Sequence, residues 1–339
     1  MKHSRLMLWV GMAVSLLFLV LVLRKIDGRQ LLDSLAGVHP GYLVAAILST
    51  FASFWLRAVR WRYLLIHERP LALGSLYPAV IIGYMANNLF PARLGEFIRA
   101  WVLAERERLK VASVFASLVI DRLFDGFSVM VILVLVLLTL RLPPGMEQTT
   151  ALLKGGGATM VLVYALAIVF LLLLKRRPVA TLSLMGRVLK PFPAILSEKA
   201  ITLSGSFLHG LHLPKRPEHL LMLVVSSCCI WLTATLPIHL VLLGFGIHLP
   251  LSASFFIMVL LVFAVMVPAA PGYIGTYHLA CYTGLAAFGI QPTQAAAIAL
   301  VIHGIGFFPV ILAGLYHLWA GGISLARVRQ QAETEQLAP

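Results

Sequence analysis

The sequence predicts an all-α polytopic membrane protein, with about six full spans plus two broken re-entrant helical hairpins in an inverted repeat. Three observations carry this expectation. Of the 339 residues, 60% are hydrophobic and 12% charged, against about 25% charged in soluble domains. Apolar runs recur at lengths that cross about 30 Å of hydrocarbon. Two more apolar regions are each broken, at matching places, by proline and glycine.

The runs Leu6–Leu23, Tyr42–Leu56, Val111–Leu140, Thr159–Leu174, Leu220–Gly244 and Ala295–Ala320 read as spans. Leu6–Leu23 follows Lys2 and Arg5 as a signal peptide would, but Arg24-Lys25 comes directly after it with no small-residue cleavage site. It therefore reads as an uncleaved first span. Tyr42–Leu56 is short, and Asp121, Arg122 and Asp125 interrupt Val111–Leu140. Ser75–Glu107 is broken at Pro91 and Gly95, and Leu251–Gly289 at Pro268, Pro271, Gly272 and Gly275. Each of these two regions reads as a helix–break–helix hairpin that enters and leaves on one side. The expected organisation is one membrane domain over 1–325, with repeat A at about 6–140, repeat B at about 158–320, a cytoplasmic interfacial loop at 175–218 and a short polar tail at 326–339.

A formal net charge of +14 invites a nucleic-acid reading, which the charge pattern excludes. The basic residues sit at the ends of apolar segments, as topogenic charges do. With both termini cytoplasmic in a cell (inner) membrane, Arg24, Lys25, Arg29, Arg141 and Lys154 are the outside exceptions and Arg122 lies within a span. Cys228, Cys229 and Cys281 fall in apolar segments and define no disulfide framework.

The repeat is visible locally. Pro91-Ala-Arg-Leu-Gly-Glu-Phe-Ile-Arg-Ala100 aligns with Pro271-Gly-Tyr-Ile-Gly-Thr-Tyr-His-Leu-Ala280 at Pro, Gly and Ala, with near matches at Leu/Ile and Phe/Tyr. Each copy follows two spans and precedes one. Three crossings is odd, so the second copy is inverted, an arrangement found in transporters; the alternative is two unrelated proline-kinked helices. Half-helices starting near Pro91 and Pro271 would point free N–H groups into the membrane, a ready anion site. Gly95, Gly272 and Gly275 would admit a close backbone or headgroup.

Asn87, Asn88, Pro91, Arg93, Gly95, Glu96 and Arg99 concentrate polarity in this lipid-soluble chain. A charge at the centre of a span costs about 2.5–3.5 kcal/mol on insertion scales, and broken backbone there must be buried in protein or line a wet cavity. Arg93, Glu96 and Arg99 are spaced to share one helical face. Asp121 and Asp125 are one turn apart, with Arg122 between. These six charges balance. Two readings stay open: Asp121, Arg122 and Asp125 lock the hairpin to its neighbour, or Arg93 or Arg99 exchanges its carboxylate for a substrate phosphate. The second hairpin offers Thr276, Tyr277 and His278, and the last span His303; these histidines are structural or donate to a phosphate. Arg57, Arg60, Trp61 and Arg62 end the second span as interfacial anchors or headgroup contacts. The segment 175–218 alternates basic and apolar residues and lies along the cytoplasmic interface, drawn to anionic lipid or serving topology alone. His209 and His212 lack acidic or cysteine company, so no metal is expected. No nucleotide-binding motif of the G-x-x-x-x-G-K-[ST] type is present, and no cofactor is expected.

Asn88-x-x-Pro91-x-Arg93-x-Gly95-Glu96-x-x-Arg99 followed by Asp121-Arg122-x-x-Asp125 resembles the lysylphosphatidylglycerol synthase transmembrane family, also called flippase-like or UPF0104. Pro271-Gly272-x-Ile274-Gly275-Thr276 resembles its second signature, and Arg57-x-x-Arg60-Trp61 fits as well. Many members carry a glutamate where this chain has His278, which implies a different substrate. The resemblance implies the lipid-handling membrane region without the soluble aminoacyl-transfer domain. The expected function is a membrane lipid translocase or lipid-binding protein for an anionic or phosphate-linked lipid. Its partners would be membrane lipids with anionic headgroups, with a lipid-modifying enzyme as a further candidate partner. Glu96, Asp121, Asp125 and His278 are candidate proton sites for uphill movement. The alternatives are a membrane-embedded transferase acting on lipid-linked sugars, with Asp27 and Asp33 as acids, and a non-transporting partner of a lipid-modifying enzyme.

Overall fold

The computed structural model describes residues 27–66, 68–90, 94–140, 147–188, 216–266, 271–328 and 330–331. Among these residues the chain is helical, without strands. The helices are α1 Gly28–Ala36, α2 Pro40–Leu64, α3 Leu73–Leu89, α4 Gly95–Glu107, α5 Val111–Thr139, α6 Glu147–Arg176, α7 Pro178–Val188, α8 Pro217–Gly244, α9 Leu251–Met266, α10 Thr276–Ala286 and α11 Pro292–Ala320, with a 3-10 turn at Pro271–Tyr273. The expected first span at Leu6–Leu23 lies outside the described residues, as do Pro91, Arg93, Pro268, His209 and His212.

Helices α2, α5, α8 and α11 are long and apolar enough to cross a membrane. Proline opens α2, α8 and α11 at the first turn, where its missing N–H costs nothing. α3 stops at Leu89, and Phe90, the residue before Pro91, is extended at φ −108° and ψ 145°; a following proline disfavours helix there. Both breaks therefore interrupt helices, between Leu89 and Gly95 and between Met266 and Thr276. The returning helices begin at Gly95 and Thr276, several residues beyond the prolines expected to start them. The start of the expected 175–218 loop is helical, since α6 runs to Arg176 and α7 follows.

The two halves match in order (long, short, short, long) and in packing. α3 packs on α11 as α9 packs on α5, and α2 packs extensively on its own counterpart α8. That central pair runs antiparallel: His39 N–H donates to the Gly244 carbonyl at 3.0 Å, Ser49 Oγ to the Thr233 carbonyl at 2.9 Å, and Ser53 Oγ to the Ile230 carbonyl at 3.3 Å. The Ser49 bond has a specific cause. Pro237 cannot donate to the carbonyl four residues before it, which leaves Thr233 in need of a donor, and Ser49 supplies it.

The apolar interior divides into two clusters that exchange helix ends. One joins α3 and α4 to Val114, Leu118 and Ile120 of early α5 and to Val310 and Leu318 of late α11. The other joins α9 and α10 to Val129, Leu133 and Val136 of late α5 and to Ala295, Ile298 and Ile302 of early α11. Each last helix is thus shared between halves, which ties the two hairpins to a common scaffold.

Candidate functional site

α2, α4 and α5 converge on a buried ionic network. The expectation that Arg57, Arg60 and Trp61 anchor α2 at an interface is overturned. α2 continues as helix to Leu64, and Arg57 is 6% exposed, Arg60 and Trp61 0%; Arg62 alone of that group is exposed. The physical reason is pairing. Arg57 and Arg60, one turn apart, meet Asp121 and Asp125, also one turn apart on α5. A buried charge is tolerable when opposite charge and hydrogen bonds surround it. Arg57 Nη1 lies 2.9 Å from Asp125 Oδ2. Arg60 Nε donates to Asp121 Oδ1 at 2.8 Å, Nη2 to Asp125 Oδ1 at 2.7 Å, and Nη1 to Ser227 Oγ of α8 at 3.0 Å. The indole of Trp61 donates to Ser117 Oγ at 2.8 Å.

Arg99 and Arg122 are served less well. Arg99 is 1% exposed and reaches Asp121 Oδ2 through Nη1 at a long 3.3 Å. Its guanidinium carbon sits 4.0 Å from the centre of the Trp61 ring, a cation–π contact. Its Nε and Nη2 are buried without a hydrogen-bond partner among the described residues. Arg122 touches Asp121 and Asp125 at 3.2 Å each and Glu96 Oε1 at 3.6 Å. Its Nε and Glu96 Oε2 are buried atoms without hydrogen-bond partners among the described residues. Arg122 and Glu96 are also its open side, with side chains 37% and 23% exposed.

The expected charge balance does not hold among the described residues. Four arginines, at positions 57, 60, 99 and 122, face three carboxylates, Glu96, Asp121 and Asp125, so the network carries excess positive charge. The sequence pattern missed Arg57 and Arg60 as members; an Arg pair at i, i+3 in one apolar helix and an Asp pair at i, i+4 in another was the available signal.

The two breaks form a second group. Asn87 Oδ1 accepts from Gly95 N–H at 2.9 Å, and His278 Nδ1 from Gly275 N–H at 3.3 Å. Side chains thus take the N–H groups at which α4 and α10 begin, so the expected open anion sites there are already partly filled. Gly95 packs so closely that a Cβ would strike the Gly83 carbonyl and the Asn87 amide. Gly272 (φ 72°) and Gly275 (φ 94°) adopt backbone angles open chiefly to glycine. A Cβ on Gly272 would lie 3.5 Å from the Asn88 carbonyl and 2.7 Å from the Phe307 ring, so the tips of the two breaks touch. α11 fastens both: Asn88 Nδ2 donates to the Gly306 carbonyl at 3.2 Å, and His303 Nε2 lies 2.8 Å from the Gly272 carbonyl. Thr276 Oγ1 donates to the Tyr273 carbonyl at 3.2 Å, and the Tyr277 ring lies 4.9 Å from that of His303. Asp27, a candidate acid, instead caps α1 through the N–H groups of Arg29 and Gln30. Among the described residues no cluster of His, Cys, Asp and Glu could hold a metal ion.

Two broken helices and a buried, cation-rich network define a polytopic α-helical membrane protein with a polar site held in an apolar scaffold. The chain belongs to the family described as the lysylphosphatidylglycerol synthase TM region, whose profile matches residues 8–314. It is similar to a Haloferax volcanii protein named glycosyltransferase AglD, at 26% identity over 95% of this chain and 56% of that one. It is also similar to UPF0104 membrane proteins of Methanothermobacter thermautotrophicus (24% identity; 93% of this chain, 95% of the relative) and Pyrococcus horikoshii (24%; 81% and 85%). The chain thus spans little more than half of the Haloferax protein. No solved structure matches it.

Proposed function

We propose that this protein is a membrane lipid translocase, flippase-like in action, that holds the phosphate of an anionic or phosphate-linked lipid at the Arg99–Arg122 side of the network. One observation carries the reading: among the described residues, Arg99 Nε and Nη2 are buried donors without acceptors, in a network with excess positive charge. Leaving such donors unsatisfied costs about 1–3 kcal/mol each, more when charged. A phosphate accepts from both in the fork geometry that guanidinium favours.

Glu96 is the placeholder in this reading. Its long contact to Arg122 and partial exposure let it yield to an incoming phosphate, while the acyl or prenyl chains stay in lipid. The antiparallel counterparts α2 and α8, and the exchange of helix ends between the two apolar clusters, support an inverted repeat whose halves rock about a central site. The basic-residue asymmetry supports cytoplasmic termini in a cell membrane.

A second reading, a membrane-embedded transferase acting on lipid-linked sugars, draws on the glycosyltransferase name of the Haloferax relative. The same similarity favours a polyprenyl-phosphate sugar among the lipids to be tried. The experiment is native mass spectrometry of gently solubilised protein, followed by headgroup accessibility of the retained lipid in proteoliposomes. Phosphate-bearing lipid held by the wild type and lost from Arg99→Gln supports the reading. Equal retention and equal accessibility rates remove it. Product formed from a lipid-linked donor by pure protein favours the transferase.

A further inference from the structure

Uphill movement of a lipid needs an energy source, and the second break carries an unused pair of imidazoles. His278, on the first turn of α10, is 6% exposed. Its Nδ1 faces the Gly275 amide, a group that can only donate, so the neutral ring carries its hydrogen on Nε2. That Nε2 is buried without a hydrogen-bond partner among the described residues. His303 on α11 is fixed from the other end. Its Nε2 faces the Gly272 carbonyl, which can only accept, so Nε2 bears the hydrogen and Nδ1 is bare. The ring centroids are 4.7 Å apart with planes at 80°. One ring has a buried donor without an acceptor among the described residues, and its neighbour a nitrogen that carries no hydrogen.

Of the other candidate proton carriers, Glu96 is assigned above to yielding to the phosphate, and both aspartates are already committed. Asp121 Oδ1 is held by Arg60 and its Oδ2 by Arg99 and Arg122; Asp125 Oδ1 is held by Arg60 and its Oδ2 by Arg57 and Arg122. Around the histidine pair, by contrast, Tyr277 and Cys281 come from α10 and Tyr273 from the turn. α9, which also packs on α10, has no titratable side chain.

We infer that His278 and His303 form one proton-binding site, and that proton uptake there releases the tip of the second break from the first. The inference rests on the translocase reading and supplies its coupling ion. A proton arriving from water must enter at one of the two bare nitrogens. On His278 Nδ1 it sets N–H against the Gly275 N–H, so the cap of α10 is lost and a cation faces the positive end of a helix. On His303 Nδ1 it places a cation on a ring whose one hydrogen-bond acceptor among the described residues is the Gly272 carbonyl. Either way the closed tip becomes unfavourable and the opened, hydrated tip gains. Because Gly272 abuts Asn88, release at this point separates the two breaks. Reclosing returns the proton to water, so nothing is consumed except the gradient.

The test is 15N-histidine NMR of the full chain in phosphatidylglycerol–phosphatidylcholine nanodiscs, from about pH 8 to about pH 5, with amide hydrogen exchange of residues 275–279. At high pH both rings carry hydrogen on Nε2. On acidification the two rings change together, and exchange at 275–279 rises about fivefold, the effect of losing one helix cap. In His303→Gln, which still donates to Gly272 but takes up no proton, the joint change disappears and the rise in exchange shrinks. Rings that keep both tautomers across the range, or that titrate while exchange stays constant, overturn the inference. Arg99→Gln separates the two ideas. If it keeps the histidine titration and keeps its lipid, the lipid reading falls alone; if it loses its lipid while wild-type histidines do not titrate, the proton site falls alone.

Discussion

Replacing Arg99 by glutamine separates the charges that hold the fold from the charge offered to a ligand. In the variant, Asp121 still receives Arg60 at 2.8 Å and Arg122 at 3.2 Å, so no carboxylate is stranded. The losses are one long ion pair and the stacking on Trp61, about 2 kcal/mol for a desolvated cation–π contact. They are offset because a buried cation with unsatisfied donors is gone. The expected net change in stability is about 1 kcal/mol in either direction. Arg60→Gln costs more, because it removes the shortest charged contacts of both Asp121 and Asp125 and leaves Asp121 to the longer contacts of Arg99 and Arg122; charged hydrogen bonds lost inside the protein cost about 1.5–3 kcal/mol each. For ligand the ranking reverses. Loss of charge-assisted hydrogen bonds worth about 1.5–3 kcal/mol each lowers affinity for a phosphate-bearing lipid at least about tenfold in Arg99→Gln. Thermal unfolding in detergent, paired with native mass spectrometry of retained lipid, reads both effects. An Arg99→Gln protein that unfolds as early as Arg60→Gln, or that retains lipid like the wild type, refutes the division of roles.

Glu96→Gln should act oppositely to Arg99→Gln, because it removes the competitor for Arg122: lipid retention should rise about two- to fivefold, the worth of a part-exposed ion pair, and a fall would contradict the placeholder role. Gly95→Ala drives a Cβ into the Gly83 carbonyl, and the forced separation of α3 from α4 should cost about 1–3 kcal/mol and displace Arg99; chemical denaturation and lipid retention measured together check this, and a neutral result would mean the close approach is not enforced. Ser49→Ala should cost about 1–3 kcal/mol by orphaning the Thr233 carbonyl, whereas in a Pro237→Ala background the helix supplies its own donor and the same change should cost clearly less; equal penalties in the two backgrounds would sink the account.

The class of protein and both breaks are legible in the amino-acid order because each follows from local rules. Apolar length excludes a soluble domain, and Phe90 before Pro91 must leave the helix. The polar cluster was legible only in part. Glu96, Arg99, Asp121, Arg122 and Asp125 stand out because charge within apolar sequence is costly wherever the helices pack. Arg57 and Arg60 sit where an apolar run ends, and there a linear reading cannot tell an interfacial charge from a buried one. The same blindness produced the expected charge balance. Asn87 and His278 were recognised as polar residues near the breaks, but their capping of Gly95 and Gly275 depends on backbone angles that a linear reading does not supply.

Composition and the spacing of apolar runs, prolines and glycines thus determined that this chain is helical, embedded in a membrane and interrupted twice. These are properties of each segment's own solubility and backbone freedom. The tertiary structure alone decided which arginines share which carboxylates, which donors are left over, and that the two breaks meet beside a histidine pair. Electrostatic pairing acts through space between helices distant in sequence, so its outcome depends on packing that no single segment encodes.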